Sequence, residues 1–230
     1  MKLSKRLETI ASFVQEGSIV ADIGTDHGYI PIHLVKNGIC SHAYAMDVRK
    51  GPLERAGAHV KEWGLEDKIT LRLSDGLVKL APGEADTVVI AGMGGELINR
   101  ILENGRHVWE SVSRWILSPQ SELGEVRRYL EHWGFVILKE SMVEEDGKFY
   151  TIMEAGRGCM KLSKACYYEY GVDLIRKQDP VLRVYLEKEE KVLSSILKGL
   201  KAQDTPGARN RQQELEKKMK VLKEAQHEMQ

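Results

Sequence analysis

Val20-Ala21-Asp22-Ile23-Gly24-Thr25-Asp26-His27-Gly28-Tyr29 is the stretch around which the chain is organised. Ile19, Val20, Ala21 and Ile23 form the short apolar run of a central parallel strand. Gly24 and Gly28 then permit tight turning and let a ligand approach the backbone. From Ile30 the pattern becomes helical, with Ile32, Leu34 and Val35 on roughly one face. A ligand bound here meets the carboxyl end of a strand and the amino end of a helix, the usual binding edge of an open α/β sheet.

Two readings compete for the ligand. A dinucleotide fingerprint, G-x-G-x-x-G, places backbone amides around a pyrophosphate. Here Asp22 precedes Gly24, and Asp26 and His27 stand between the glycines. Two carboxylates repel a pyrophosphate and suit a ligand carrying positive charge, such as the ammonium and sulfonium groups of S-adenosylmethionine. The spacing D-x-G-x-D-x-G resembles the first motif of Rossmann-like methyltransferases, D/E-x-G-x-G-x-G, with Asp26 in place of the middle glycine. The purely structural alternative is a strand-to-helix turn with polar caps.

Outward from this turn, further strands end in acids or glycines. Ala43–Met46 predicts a second strand ending at Asp47 and Val48. Asp47 lies twenty-three positions beyond Gly24, where an acid accepts from ribose hydroxyls, though it also suits the start of a helix before Pro52. Ile69–Leu73 alternates as a third strand and stops at Ser74-Asp75-Gly76. An acid there takes the exocyclic amine of the cofactor's adenine in methyltransferases, although Asp-Gly is also a common turn.

The fourth predicted strand, Ala85–Ile90, precedes the loop Ala91-Gly92-Met93-Gly94-Gly95. Amino-group methylases carry N/D-P-P-Y/F at this place to hold an exocyclic nitrogen. This loop has no Asn, Asp or Pro, which argues for a ring nitrogen as acceptor. Met93 packs either on a bound ring or as filler beneath the loop. Trp115–Leu117 begins a fifth strand that ends at Ser118-Pro119-Gln120, with Pro119 and Gln120 at the same edge. Phe135–Glu140 and Phe149–Ala155 are two more strands, joined through Glu144–Lys148. Ahead of the first strand, residues 3–16 read as a helix. The basic pair Lys5 and Arg6 at its entry is either a solvated face or a phosphate contact.

After Gly156-Arg157-Gly158 the composition changes, dividing residues 1–158 from 159–230. Residues 162–180 read as irregular or weakly helical. Val181, Val184, Tyr185, Val192, Ile196, Leu197 and Leu200 form one stripe, and Leu215, Met219 and Leu222 a second, with a break at Asp204–Gly207. This predicts an α-helical coiled-coil hairpin, either a dimerisation arm or a lever gripping an extended substrate through its lysines and arginines.

Thirty-four basic and thirty-four acidic residues cancel, so no global basicity advertises nucleic acid. Three cysteines, Cys40, Cys159 and Cys166, form no C-x-x-C pair, the pattern of a reduced, cytoplasmic compartment. The seven histidines lack metal-site spacing, so no metal is expected. No apolar run has transmembrane length, so no membrane is expected, and the first residues enter a helical pattern directly.

Leu3–Leu7, Ala21–Tyr29, Ile90–Gly95 and Glu144–Tyr150 together resemble the bacterial tRNA (adenine-22-N1)-methyltransferase family, TrmK, over essentially the whole chain. The resemblance implies a Rossmann-like class I methyltransferase with a seven-stranded, mostly parallel sheet in the order 3-2-1-4-5-7-6. It implies S-adenosylmethionine as donor, S-adenosylhomocysteine as product, a tRNA partner, and N1 of an adenine in the D-arm region as acceptor. It places the cofactor on Asp22, Gly24, Asp26, Gly28, Asp47, Val48, Ser74, Asp75, Gly76, Gly92 and Met93. Lys5, Arg6, Met93, Gly94, Pro119 and Gln120 fall to the substrate. Asp26 either stabilises developing positive charge or binds the donor's amino group; His27 and Tyr29 either hold the flipped base or serve the fold, His27 as a helix-start cap and Tyr29 in sheet packing. Gln120 departs from the Pro-Asn pair expected in relatives. Two rivals are a methyltransferase for a protein or small molecule, and a non-catalytic RNA-binding protein of the same fold. A monomer or weak homodimer is expected.

Overall fold

The computed structural model describes residues 2–202 and 205–230. The chain divides into two compact units, Met1–Met160 and Lys161–Gln230.

The first unit begins with helix α1 (Lys5–Ala11), started by Ser4, whose side chain accepts from the Leu7 N–H. Strands and helices then alternate: β1 (Ser18–Ile23), α2 (Tyr29–Lys36), β2 (Cys40–Asp47), α3 (Lys50–Glu62) and β3 (Ile69–Leu73). After these come β4 (Thr87–Met93), α4 (Gly95–Asn104), β5 (Arg114–Pro119) and α5 (Leu123–His132). The long hairpin β6 (Phe135–Glu145) and β7 (Lys148–Arg157) completes a seven-stranded sheet in the order β3-β2-β1-β4-β5-β7-β6. β3, β2, β1, β4 and β5 pair in parallel; β7 runs antiparallel to both β5 and β6. This is the expected order.

The parallel strands are buried on both faces, which explains their continuous apolar runs. Alternate residues feed two cores. Ala21, Ile23, Val88, Ile90, Trp115 and Leu117 pack with Ile98, Leu102, Val126 and Leu130 of α4 and α5. Val20, Val89 and Ile116 pack with Ile10, Ile32, Leu34 and Val60 of α1, α2 and α3.

Two strands differ from expectation. β4 continues through Ala91-Gly92-Met93, residues predicted as loop, because β5 goes on pairing with it across a register shift between Ala91 and Met93. The β6–β7 connection is also tighter than the predicted five residues. Asp146 and Gly147, at φ 50° and 75°, make a two-residue turn in which both central residues are left-handed.

The fully buried Arg127 of α5 donates from Nε and Nη2 to Oε1 of the equally buried Glu140 on β6, at 3.0 and 2.8 Å. This charge pair ties the hairpin's first strand to the helix before it.

In the second unit, residues predicted as irregular form two short helices, α6 (Ala165–Tyr170) and α7 (Val172–Arg176). Then follow α8 (Pro180–Lys201) and α9 (Pro206–Glu228). Asp179 caps α8, accepting from the Val181 and Leu182 N–H groups, and Thr205 caps α9. Asp204 of the predicted break lies outside the described residues. α8 and α9 are antiparallel, as Lys223 and Gln226 both reach Glu190 while Arg183 reaches the Met229 carbonyl. The inward stripe is shifted from the predicted one. Leu182, Leu186 and Leu193 of α8 and Leu215, Leu222 and Ala225 of α9 are buried, whereas Val184, Val192 and Ile196 are exposed. Apolar residues beside the inward positions, such as Val181 before Leu182 and Val192 before Leu193, enter the sequence count without being buried with them.

Glu140→Ala is expected to lower the stability of the first unit by about 3–5 kcal/mol, because Arg127 stays buried without its carboxylate. Chemical denaturation followed by circular dichroism measures it. A loss below about 1 kcal/mol would show that Arg127 is satisfied without Glu140.

Candidate functional site

β1 and β4 are neighbours in the sheet, yet their helices α2 and α4 leave toward opposite faces, so a crevice opens at the strands' carboxyl ends. A cavity of about 590 Å³ occupies it. Its floor is the turn after β1, with Asp22, Gly24, Thr25, Asp26 and His27. One side is closed by Asp47, Val48 and Arg49 after β2 and by Ser74, Asp75 and Gly76 after β3. The other side has Ala91, Gly92 and Met93 of β4, Gln120 after β5, and Arg6 and Leu7 of α1.

The turn is held by β2 and α3. The N–H groups of Gly24 and Thr25 both donate to the Met46 carbonyl, at 2.8 and 3.0 Å. Gly24 has φ 75°, and a side chain there would strike the Met93 Cε, 2.2 Å from its first carbon. Met93 therefore lies directly over Gly24, at the seat of a ligand. Asp26 has φ 51°, a left-handed conformation costing about 1–2 kcal/mol for a residue with a side chain. Its N–H donates to Oδ2 of Asp47 at 3.4 Å, and its Oδ1 accepts from Arg55 Nη2 at 2.8 Å.

Asp22 is only 4 % exposed. Burial pushes its carboxyl up from 3.8 to about 6; Thr25 beside it works the other way, and the Asp47 charge adds to the rise. Asp47, equally buried, accepts from the Arg49 N–H at 2.9 Å as well as from Asp26. Beside it the Val48 side chain is 59 % exposed, an aliphatic surface set against the cavity. Ser74 is buried in its own turn, its hydroxyl bonded to the Gly76 carbonyl at 2.9 Å, which leaves Asp75 turned out at the rim.

The rings of His27, Tyr29 and His59 lie within 5.1–5.7 Å of one another and 10–23° of parallel. His59 Nδ1 donates to the His27 carbonyl at 2.9 Å, since a carbonyl can only accept. His27 Nε2 lies 3.5 Å from Asp26 Oδ2, and His27 Nδ1 is buried with no protein partner. Across the cavity the Arg6 guanidinium stacks on Tyr150 at 5.0 Å. A methyl built on Gly92 would sit 3.6 Å from Arg6 Nη1 and 3.8 Å from Gln120 Nε2, so both side chains converge on that bulge.

Of the residues singled out from the sequence, Asp22, Gly24, Asp26, His27, Tyr29, Asp47, Val48, Ser74, Asp75, Gly76, Gly92, Met93, Gln120 and Arg6 meet at the cavity. Four lie outside its walls. Gly28 starts α2, with Ala56 of α3 packed 3.3 Å from where its side chain would begin. Lys5 donates to the Glu144 carbonyl, Gly94 precedes α4 beside Ser121, and Pro119 is buried in β5. Arg49, Arg55 and His59 escaped the sequence reading. They lie in and before α3, where charged residues at helical spacing look like a solvated face. Among the described residues no cluster of His, Cys, Asp and Glu is suited to a metal ion, and no helix is long and apolar enough to cross a membrane.

Residues 3–153 match a methyltransferase domain family. The sequence is 35 % identical to the tRNA (adenine(22)-N(1))-methyltransferase of Bacillus subtilis, over 97 % of each chain. Sp1610 of Streptococcus pneumoniae, solved in complex with S-adenosyl-L-methionine, is 39 % identical with a TM-score of 0.88, covering 97 % of this chain and 99 % of that one. TrmK of M. capricolum, solved with S-adenosyl-homocysteine, is 27 % identical with a TM-score of 0.87 over the whole of both chains.

The raised Asp22 carboxyl has a consequence for stability. With a folded value of about 6 against 3.8 unfolded, its contribution is most favourable below about pH 4 and is lost as pH rises through 6. Asp22→Asn, neutral throughout, is therefore expected to gain stability relative to wild type between pH 4 and 7, approaching roughly 3 kcal/mol. Denaturant unfolding at several pH values checks this. A difference independent of pH would remove Asp22 as the titrating group.

Proposed function

The chain belongs to the tRNA (adenine(22)-N(1))-methyltransferase family, and from that membership we propose that it methylates N1 of adenine 22 in tRNA with S-adenosylmethionine as donor. The observation that carries the reading is the pairing of two buried acids, Asp22 and Asp47, at the carboxyl edge of β1 and β2, with no buried cation beside Asp22 among the described residues to offset it. That edge rejects a phosphate and fits a cationic nucleoside.

The cofactor supplies a methyl group on a positively charged sulfur, open to in-line attack by a nitrogen lone pair. Asp22 faces the cationic end and is offset by it. Asp47 takes the ribose hydroxyls, its remaining lone pairs directed by the Asp26 and Arg49 amides. Val48 supports one face of the cofactor's base, and Asp75 accepts from its amino group. Met93, lying over Gly24, closes the cavity above the donor and excludes water.

The acceptor needs no general base, because N1 of adenine already carries an in-plane lone pair. The site's task is to position the ring and accommodate its positive product. Tyr29 and His27 offer a stacking platform for a base turned out of its helix. Gln120, opposite them and beside Gly92, accepts from the 6-amino group through its side-chain oxygen and so favours adenine over guanine. Asp26, half exposed at the mouth, stabilises the charge that appears on the ring. Arg6 contributes a phosphate contact at the rim.

Residues 159–230 form the proposed second domain, whose α8–α9 hairpin grips the body of the tRNA. The free cysteines fit a cytoplasmic enzyme.

Incubation of unmodified tRNA with the enzyme and methyl-labelled S-adenosylmethionine is expected to give 1-methyladenosine at position 22 by nucleoside mass mapping, and none once that adenine is replaced. Label at another position, or in protein only, would refute the assignment. Asp47→Ala is expected to weaken S-adenosylmethionine binding about 10- to 100-fold by calorimetry, the value of hydrogen bonds to a charged acceptor. Unchanged affinity would remove Asp47 from the site.

A further inference from the structure

Three residues of α3 meet three successive residues of the turn after β1. Arg55 donates to the Asp26 carboxylate at 2.8 Å, Ala56 packs against Gly28, and His59 donates to the His27 carbonyl at 2.9 Å. Arg55 and His59 are four positions apart and so lie on one helix face. The turn they face contains Asp26 at φ 51° and Gly28 at φ 73°, flanking His27. Left alone, a non-glycine residue leaves the left-handed region.

We propose that Arg55 and His59 are positioning residues for methyl transfer: α3 acts as a template that fixes Asp26 and His27 in reactive geometry. The inference rests on the function proposed above and extends it to residues outside the cavity wall. α3 follows Asp47 directly, and the Arg49 N–H at its start donates to that carboxylate. The helix thereby joins the residue proposed for the ribose to those proposed for the acceptor base. The His59 ring also lies parallel to Tyr29 at 5.6 Å, backing the stacking surface. Its hydrogen bond is the essential part, because it fixes the His27 carbonyl, a backbone atom between the two left-handed residues.

Three variants separate the roles. His59→Phe keeps a ring and loses the donor. His59→Asn keeps a donor near the Nδ1 position and loses the ring. Arg55→Met releases the Asp26 carboxylate from a half-exposed partner, and keeps the test standing should His59→Phe not fold. At saturating donor and tRNA, His59→Phe and Arg55→Met are expected to lower kcat ten- to hundredfold. Donor affinity and the KM for tRNA stay within threefold of wild type. His59→Asn recovers kcat to within threefold. Wild-type kcat in His59→Phe, or a loss that His59→Asn shares, overturns the proposal. So does an Arg55→Met defect confined to a salt-dependent KM for tRNA, the mark of a phosphate contact. The crystal structure of Arg55→Met gives a readout free of any substrate: Asp26 leaves the left-handed region, and an unchanged turn refutes the template. Absence of methyl on tRNA in the wild type would instead refute the function while the turn geometry still decides the role of α3.

Discussion

A carboxylate held almost out of water at the end of a central strand is the constraint on which the rest depends. Asp22 is buried by the sheet that carries it, its proton affinity is raised, and Asp47 lies close enough to raise it further. A fold keeps such a pair only where something offsets it. Hydrogen bonds do part of this for Asp47, through the Asp26 and Arg49 amides. For Asp22 the offset falls, in the proposed function, to a cationic ligand. The site is thus prepared for charge it does not itself contain, and the preparation costs stability.

Sheet topology makes that arrangement possible. The reversal of winding between β1 and β4 opens the crevice, and parallel pairing brings the ends of β2, β3, β4 and β5 to the same edge. Each strand end then supplies one kind of contact: acid after β1 and β2, acid with a tight turn after β3, a glycine bulge in β4, an amide after β5. The bulge at Gly92 carries the most consequence. It lets β4 run on to Met93 and lay the thioether over Gly24, while Arg6 and Gln120 close in on the glycine from other elements. The two walls differ in character, one acidic and the other amphipathic, and the proposed function sets the first toward the donor and the second toward the acceptor.

Much of this was legible in the sequence because it is carried by short-range pattern. Apolar runs that end in Asp or Gly give both the strands and the cavity, and the hairpin reads from Glu144–Lys148, though not its two-residue turn. What escaped depends on three-dimensional register. Nothing in Ala91-Gly92-Met93 shows that β5 will continue to pair with it. Arg55 and His59 have the spacing of a solvated helix face until α3 is laid against the turn after β1. The seam of the C-terminal hairpin was misread for a related reason. Val184, Val192 and Ile196 are as apolar as Leu182, Leu186 and Leu193, and only the position of α9 separates them. Lys5 was grouped with Arg6 by adjacency, but neighbouring helical residues point apart by about 100°, and only Arg6 reaches the cavity.

The charge distribution also bears on turnover. In the proposed reaction the positive charge belongs at first to the donor, beside Asp22 and Asp47. Afterwards the sulfur is neutral and the charge lies on the methylated adenine, toward Asp26. On that reading the edge that holds Asp22 and Asp47 loses the sulfonium charge and keeps the ammonium of the amino-acid end, so Asp22, with a value near 6, is left with a weaker counter-charge. Its attraction for the spent cofactor falls in the step that produces it. Asp26 stands differently, half exposed and already paired with Arg55, so it lends the product ring a screened attraction rather than a tight ion pair. In the proposed function, a buried acid facing the donor and an exposed, paired acid facing the product would favour binding of the reactant over retention of the products.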